Sequence, residues 1–363
     1  MNYEPAGETD VTIAVYGASG YQGKLVVAEL ARRGIDMVLM GRSPERLRVA
    51  ADQAGVPDAE TRTAGLDDAE RLTASLRDCA ALINCAGPFT RSGEALARAA
   101  IAAGCHYADT SGEQLHIKQI FDTLAADAER WGVTVVPAAT DGGVPGDLIA
   151  HLLAERVEPV EEITTAHRIV GGGMSRGSLR SLAEIADTIE GGGLGYEDGD
   201  WRSGTPGRRT SMRFPGSAED VPVEKFPLQE VITVPRHVRV RRVEGVADSA
   251  LLSRFTSAVD PALIDRMPEG PPEESRRTQE FTIVVDAVGH DGRSARGVVT
   301  GPDTYGTTAV IAVEAARRLA TGSAEPGVLA PAQAFDPTDF LDFLAPHGIA
   351  WNIDTHDRPT ADA

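Results

Sequence analysis

The stretch Thr12-Ile-Ala-Val-Tyr16-Gly17-Ala-Ser-Gly20-Tyr-Gln-Gly23 decides how the chain is read. An apolar run stops at a glycine, three glycines follow at the spacing G-x-x-G-x-x-G, and residues 24–33 then carry a helical pattern that ends at Gly34. A strand, a tight Gly-rich turn and a helix in that order let backbone N–H groups and a helix dipole receive a pyrophosphate. Glycine triplets alone carry little weight; the strand before this one and the helix after it give it meaning. The run Met37-Val-Leu-Met40 is the next strand, so the first unit is βαβ and the sheet is parallel.

Further along, apolar runs at 81–85, 105–108 and 133–136 alternate with helical patterns at 67–77, 94–103 and 114–131. Right-handed crossovers of this kind put helices on both faces of a sheet. Residues 1–150 therefore read as an N-terminal Rossmann-type, doubly wound α/β domain whose turn residues Gly17, Ser19, Gly20, Tyr21, Gln22 and Gly23 hold a dinucleotide. The second strand ends in Gly41-Arg42-Ser43, with no acid for a ribose 2′-hydroxyl, and Asp36 precedes the strand at its far end. Arg42 offers a planar cationic fork to a 2′-phosphate, which favours NADP(H) over NAD. The competing reading pairs Arg42 with Glu45 on a solvated helix start.

Asn84-Cys-Ala-Gly87-Pro88-Phe89 closes the fourth strand with small residues that leave room for a cofactor along the carboxyl edge, so Asn84, Ala86, Gly87 and Pro88 join the cofactor set. For Asn84 a plain strand-to-loop turn is an equal reading. His106-Tyr107-Ala-Asp109-Thr-Ser-Gly-Glu113 brings polar groups to the same edge. Asp109 and Glu113 suit substrate orientation or proton relay, and equally suit capping of the helix that begins near Gln114, which is the favoured role of Glu113.

Together, Gly17 to Gly23, Gly41-Arg42, Cys85-Ala-Gly-Pro-Phe89 with Gly93-Glu94, and His106 to Glu113 resemble the saccharopine dehydrogenase-like oxidoreductases, a superfamily that includes saccharopine reductases and trans-acting enoyl reductases. The resemblance is strong to about residue 150 and patchy beyond. It implies a second α/β domain carrying substrate contacts, with Gly17 to Gly23 on the pyrophosphate, Arg42 on the 2′-phosphate and Ala86 to Pro88 on the nicotinamide-side ribose. One departure stands out: where the family often places an aspartate before its Pro-x-Asp, this chain has Asp141-Gly142 ahead of Pro145-Gly-Asp147, so the aspartate becomes Gly142 and Asp141 is its candidate substitute.

Residues 151–320 read as a substrate or dimerisation α+β domain with a mixed or antiparallel-rich sheet, and 321–363 as a C-terminal segment packing back towards the Rossmann domain. A β-branched run at 162–170 ends in Gly171-Gly-Gly-Met-Ser175-Arg176-Gly177 ahead of a helical pattern over 178–189; Ser175 and Arg176 there suit an anionic substrate group, although Gly-rich loops also serve as hinges. Residues 191–235 mix Gly, Pro, Arg and acids and read as a long surface excursion, a candidate lid or dimer arm. Strands are expected at 237–243, with Arg236, Arg239, Arg241 and Arg242 on one solvated face, and in a hairpin of 281–288 with 295–300; residues 307–319 form an amphipathic helix.

Composition narrows the function. The 363 residues are 42% hydrophobic and 25% charged, an ordinary globular balance. A formal charge of −19 opposes binding to a phosphate backbone, so no nucleic-acid partner is expected. No segment approaches the ~20 apolar residues that span a bilayer, no leader is evident, and the chain reads as cytoplasmic. Cys79, Cys85 and Cys105 lack C-x-x-C spacing and no histidine pair has ligand spacing, so no metal is expected. The expected activity is NADPH-dependent hydride transfer to a polarised C=N or C=C bond of a small-molecule or acyl substrate, with a homodimer as a candidate assembly. The alternative is a non-catalytic nucleotide-binding scaffold or sensor. Candidates for the proton donor are Asp109, Asp141, Tyr107 and Ser175.

Overall fold

β1 (Ile13–Tyr16) is buried at every residue because it runs through the middle of a parallel sheet in the computed structural model, which describes residues 11–256, 261–322 and 324–356. After it come α1 (Tyr21–Arg33), β2 (Met37–Gly41), α2 (Pro44–Gln53), β3 (Glu60–Thr63), α3 (Ala69–Ala74), β4 (Ala81–Asn84), α4 (Phe89–Ala103), β5 (His106–Asp109), α5 (Gln114–Trp131) and β6 (Thr134–Val136). The spatial order β3-β2-β1-β4-β5-β6 is that of a doubly wound dinucleotide fold, with the strand order reversing between β1 and β4. Register places Tyr16, Asn84 and Asp109 side by side at the carboxyl ends of β1, β4 and β5.

The second sheet is mixed and mostly antiparallel. α6 (Gly143–Val157) leads into β7 (Val160–Val170), α7 (Arg176–Glu184) and α8 (Ala186–Glu190); the single helix expected over 178–189 is broken at Ile185. The supposed surface excursion is instead structured. It forms β8 (Leu194–Glu197), β9 (Asp200–Ser203), β10 (Ser211–Met212), β11 (Val221–Lys225) and α9 (Glu230–Thr233). Its strands are too short to display a period of two, yet Met212, Phe214 and Val223 are buried against Ala166, Val246 and Val284. Then follow β12 (Val240–Asp248), α10 (Ser249–Thr256), α11 (Pro261–Ile264), α12 (Glu273–Arg277) and the hairpin β13 (Glu280–Gly289) to β14 (Ser294–Pro302). β7 pairs parallel with β12 and antiparallel with β13. The arginines near β12 are not one solvated face: Arg236 lies between the rings of Phe121 and Trp201, 4.7 and 4.5 Å from their centroids.

The segment 304–356 stitches the two sheets together. α13 (Thr304–Thr321) puts Ala309, Ala312, Val313 and Ala316 into one core with Val15, Val26, Leu30 and Ile83, so it covers a face of the first sheet. β15 (Gly327–Val328) extends the first sheet beside β6. After α14 (Pro331–Ala334) and α15 (Pro337–Leu344), β16 (Ala350–His356) completes the edge of the second sheet beside β14. Among the described residues no helix is long and apolar enough to cross a membrane.

Candidate active site

A cleft of about 830 Å³ runs from the carboxyl edge of the first sheet to β7, α7 and the end of β11. One end is made by the Gly-rich turn. Gly17 takes φ 81°, a left-handed conformation that glycine adopts without a steric penalty, and a Cβ there would stand 3.1 Å from the Ala86 backbone. A Cβ on Gly23 would run into the carbonyl of Gly17, so this glycine allows α1 to approach β1. α1 starts without a side-chain cap and without an acid in its first turn, which leaves its N–H groups and dipole for an anion. These features fit a dinucleotide pyrophosphate.

Gly17, Ser19, Gly20, Tyr21, Gln22, Ala86 and Gly87 line the cleft. Gly23, Asn84 and Pro88 stand behind this lining. The Asn84 side chain accepts from Ala86 N (2.9 Å) and donates to Tyr107 Oη (3.0 Å), which shapes the loop that faces the cleft. Tyr21 and Gln22 also hold the second half of the chain: Tyr21 Oη donates to Pro271 O (2.5 Å) and Gln22 Nε2 to Tyr305 O (3.1 Å). Arg42 lines the cleft, is exposed, and makes no hydrogen bond or ion pair among the described residues, so Glu45 is not its partner. Glu45 instead accepts from Ser43 Oγ. Arg46, which the sequence reading passed over, stands in the same wall, donating to Ser19 O (3.2 Å) and lying 3.7 Å from Glu269.

The four candidate proton donors divide. Asp109 and Tyr107 are fully buried and do not reach the cleft. Asp109 Oδ1 accepts from Ser111 N (3.1 Å) and Ala138 N (3.0 Å), and Oδ2 accepts from Tyr107 Oη (3.0 Å) and meets His116 Nε2 (2.9 Å). That is a saturated carboxylate joining β5, α5 and the end of β6. Burial pushes the Tyr107 phenol well above its ordinary value. Glu113 stands at the N-cap of α5 but its side chain does not cap it; its two oxygens accept from Phe89 N (2.9 Å) and Thr90 N (2.8 Å) at the start of the neighbouring α4.

Asp141 and Ser175 do face the cleft. Ser175 caps α7, accepting from Ser178 N (3.1 Å), while its own N–H donates to Tyr305 Oη (2.8 Å). Arg176 also faces the cleft, but its guanidinium donates to Asp265 O (3.3 Å) and its N–H to Glu269 O (3.0 Å). Asp141 Oδ1 accepts from Thr308 Oγ1 (2.9 Å) of α13. Burial pushes the Asp141 carboxyl up to about 6, against the Thr308 hydrogen bond and the nearby His167, which favour its charge. An acid raised in the fold penalises folding when ionised. The penalty is absent below the unfolded value of about 3.9, grows as pH rises towards 6 and is full above it. Asp141→Asn, which keeps the Thr308 bond, is therefore expected to raise Tm at pH 7–8 and to leave it unchanged near pH 3.5; melts across that range check this.

Two groups that no motif marked stand at the inner end. His167 of β7 lines the cleft with its Nε2 2.6 Å from Oε1 of the fully buried Glu230 on α9. Beyond them, Ile169, Leu182, Ile185, Phe226, Leu228, Leu251 and Phe255 make an apolar wall, with Phe226 and Phe255 stacked at 5.4 Å. Cys85 also faces the cleft, but burial pushes its thiol up to about 12, so it is no thiolate at neutral pH.

The family model of the saccharopine dehydrogenase NADP binding domain matches residues 13–136. A candidate trans-acting enoyl reductase of Mycobacterium tuberculosis is 34% identical over 186 residues, covering 48% of this chain and 44% of that protein. The trans-acting enoyl reductase of Mycobacterium ulcerans is 33% identical over 155 residues, covering 42% and 37%. The chain thus matches less than half the length of these curated relatives. Apo saccharopine dehydrogenase (L-Glu forming) from Saccharomyces cerevisiae superposes over 95% of this chain and 100% of its own, with TM-score 0.60 at 14% identity, a likeness of fold. The strand order, the glycine turn and these matches agree: residues 13–136 match the saccharopine dehydrogenase NADP binding domain, and the chain as a whole has the fold of the yeast saccharopine dehydrogenase.

Proposed function

We propose that this chain is an NADPH-dependent reductase that saturates a polarised C=C or C=N bond, with an apolar acyl group as the favoured substrate body. The observation that carries the reading is the continuity of one cleft from the glycine turn and Arg42 to the wall around Phe226 and Phe255. In this reading Gly17, Ser19 and Gly20 receive the pyrophosphate, Arg42 receives the 2′-phosphate while Arg46 braces the turn through Ser19 O, and the Ala86–Gly87 backbone takes the nicotinamide-side ribose. When bound, NADPH supplies the hydride. The protein orients the acceptor and excludes water from it.

The apolar wall separates the two substrate types of the superfamily. An amino-acid conjugate brings carboxylates that need cations, yet Arg176 and Arg180 are both engaged by Asp265. An acyl chain gains ~25 cal/mol for each Å² of apolar surface it buries against such a wall. The test is to titrate the protein with NADPH and NADH, then supply enoyl thioesters and imines and follow NADPH oxidation. Preference for NADPH with oxidation driven by enoyl thioesters is the expected result. Tight NADPH binding without oxidation by any acceptor would replace the reductase with a nucleotide-binding scaffold, and faster turnover of carboxylate-bearing imines would overturn the acyl preference.

A further inference from the structure

His167 and Glu230 sit on different elements, 63 residues apart, and meet at the inner end of the cleft. Glu230 is completely buried, with Oε1 on His167 Nε2 and Oε2 without a hydrogen-bond partner. A carboxylate is removed from water at substantial cost, and holding an imidazole in one orientation is a use that repays it. The opposite ring nitrogen, Nδ1, has no hydrogen-bond partner among the described residues. The ring itself lines the cleft, with 12% of the side chain exposed.

Gly142 explains why the ring fits. A Cβ at this position would stand 2.7 Å from His167 Cε1 and 3.2 Å from Nδ1, and 2.7 Å from Gln229 Nε2. The imidazole therefore occupies the space that an acidic side chain at 142 would claim. The glycine where the resemblance expects an aspartate is matched by a histidine arriving from the second sheet.

The geometry assigns His167 as the proton donor of the proposed reduction, and Glu230 as the positioning residue that holds its Nε2. This rests on the reductase reading above. As hydride from the reduced nicotinamide forms a bond to one atom of the polarised double bond, the other atom takes the proton from His167 Nδ1. The N–H bond breaks, its electron pair stays on Nδ1, and the neutral imidazole recovers a proton from water through the open cleft. The double bond is reduced and the nicotinamide oxidised, so atoms and electrons balance.

Charged neighbours support the protonated form. Burial opposes the charge on His167, but the Glu230 carboxylate, by charge and hydrogen bond, and Asp141 more weakly, raise its pKa above the ordinary histidine value. Asp141 faces it from the turn before α6 and Glu230 from α9, while its partners on β12 and β13 are Ala247 and Ile283, which carry no charge. Thr308 and Gln229 nearby are neutral.

Three measurements test the assignment on the full chain. The first is the His167 titration by NMR of its Cε1–H, expected to midpoint above 6.5 in the wild type and to fall by at least one pH unit in Glu230→Gln, with recovery in Glu230→Asp. The second is the pH profile of NADPH oxidation with an enoyl thioester, whose basic limb is expected to move to lower pH by the same amount in Glu230→Gln. The third is His167→Gln, expected to lower kcat by about 100-fold or more while the Kd for NADPH stays within about twofold. An active wild type in which His167→Gln, folded by circular dichroism, keeps more than half of kcat overturns the assignment alone. A basic limb that stays put while the NMR midpoint moves does so too. A wild type that binds NADPH but reduces no acceptor overturns the reductase reading and this assignment with it.

Discussion

Replacing Asp109 with alanine is expected to destabilise the fold by about 3–5 kcal/mol, the cost of breaking a buried charged network from one side. Without the carboxylate, the N–H groups of Ser111 and Ala138, the Tyr107 hydroxyl and His116 Nε2 lose their shared acceptor in a site that water does not reach. Asp109→Asn keeps an oxygen for the two backbone donors and turns an amide towards Tyr107 and His116, so it should cost roughly half as much. Urea denaturation of both variants measures this. A proton donor would behave differently: both variants would unfold like the wild type and lose only turnover, and that outcome would return Asp109 to the catalytic list.

Arg42→Ala is expected to weaken NADPH binding by about 10- to 100-fold and to change NADH binding by less than about threefold, because a charge-assisted bidentate contact to a phosphate contributes roughly 1.5–3 kcal/mol. Arg42 makes no ion pair among the described residues, which sharpens the expectation: no carboxylate among them has to be released before a 2′-phosphate can bind there. The contrast within the same wall is Arg46, which already donates to Ser19 O and faces Glu269. Its removal should disturb both cofactors through the turn, and isothermal titrations with the two nucleotides separate the cases. Equal losses for NADPH and NADH in Arg42→Ala would refute a 2′-phosphate role.

The first sheet was legible because β1, β2, β4, β5 and β6 are short apolar runs, each followed by a helical pattern and a turn. β3, counted but not located, is illegible for a physical reason: Glu60-Thr-Arg-Thr63 is an edge strand paired on one side only, and its sequence is polar throughout. In the second sheet β7, β12, β13 and β14 were legible as apolar or β-branched runs, and the short strands between β7 and β12 were not. β8 to β11 are two to five residues long, and their polar groups are satisfied across the fold, as where Lys225 Nζ donates to Gly193 O and to Thr205. Within the site, the glycines and Arg42 announce themselves by local spacing. Arg46 was within reach, since Arg42 and Arg46 flank the start of α2. His167 and Glu230 were not: they stand 63 residues apart outside any motif, and only the place of β7 within the second sheet and the packing of α9 bring them together. Glu113 shows the same limit, since its position suggests its own helix and its carboxylate serves the next one.

The path of the segment 304–356 governs how the molecule comes apart. α13 supplies core to the first sheet, β15 lengthens that sheet and β16 forms the edge of the second, all within one continuous run of chain. Peeling this run away removes material from both sheets at once, so neither can melt while the other keeps its full set of neighbours. Cooperativity is thereby imposed by threading: a fold whose sequence reads as separate domains is expected to lose its glycine-turn end and its apolar end in a single transition.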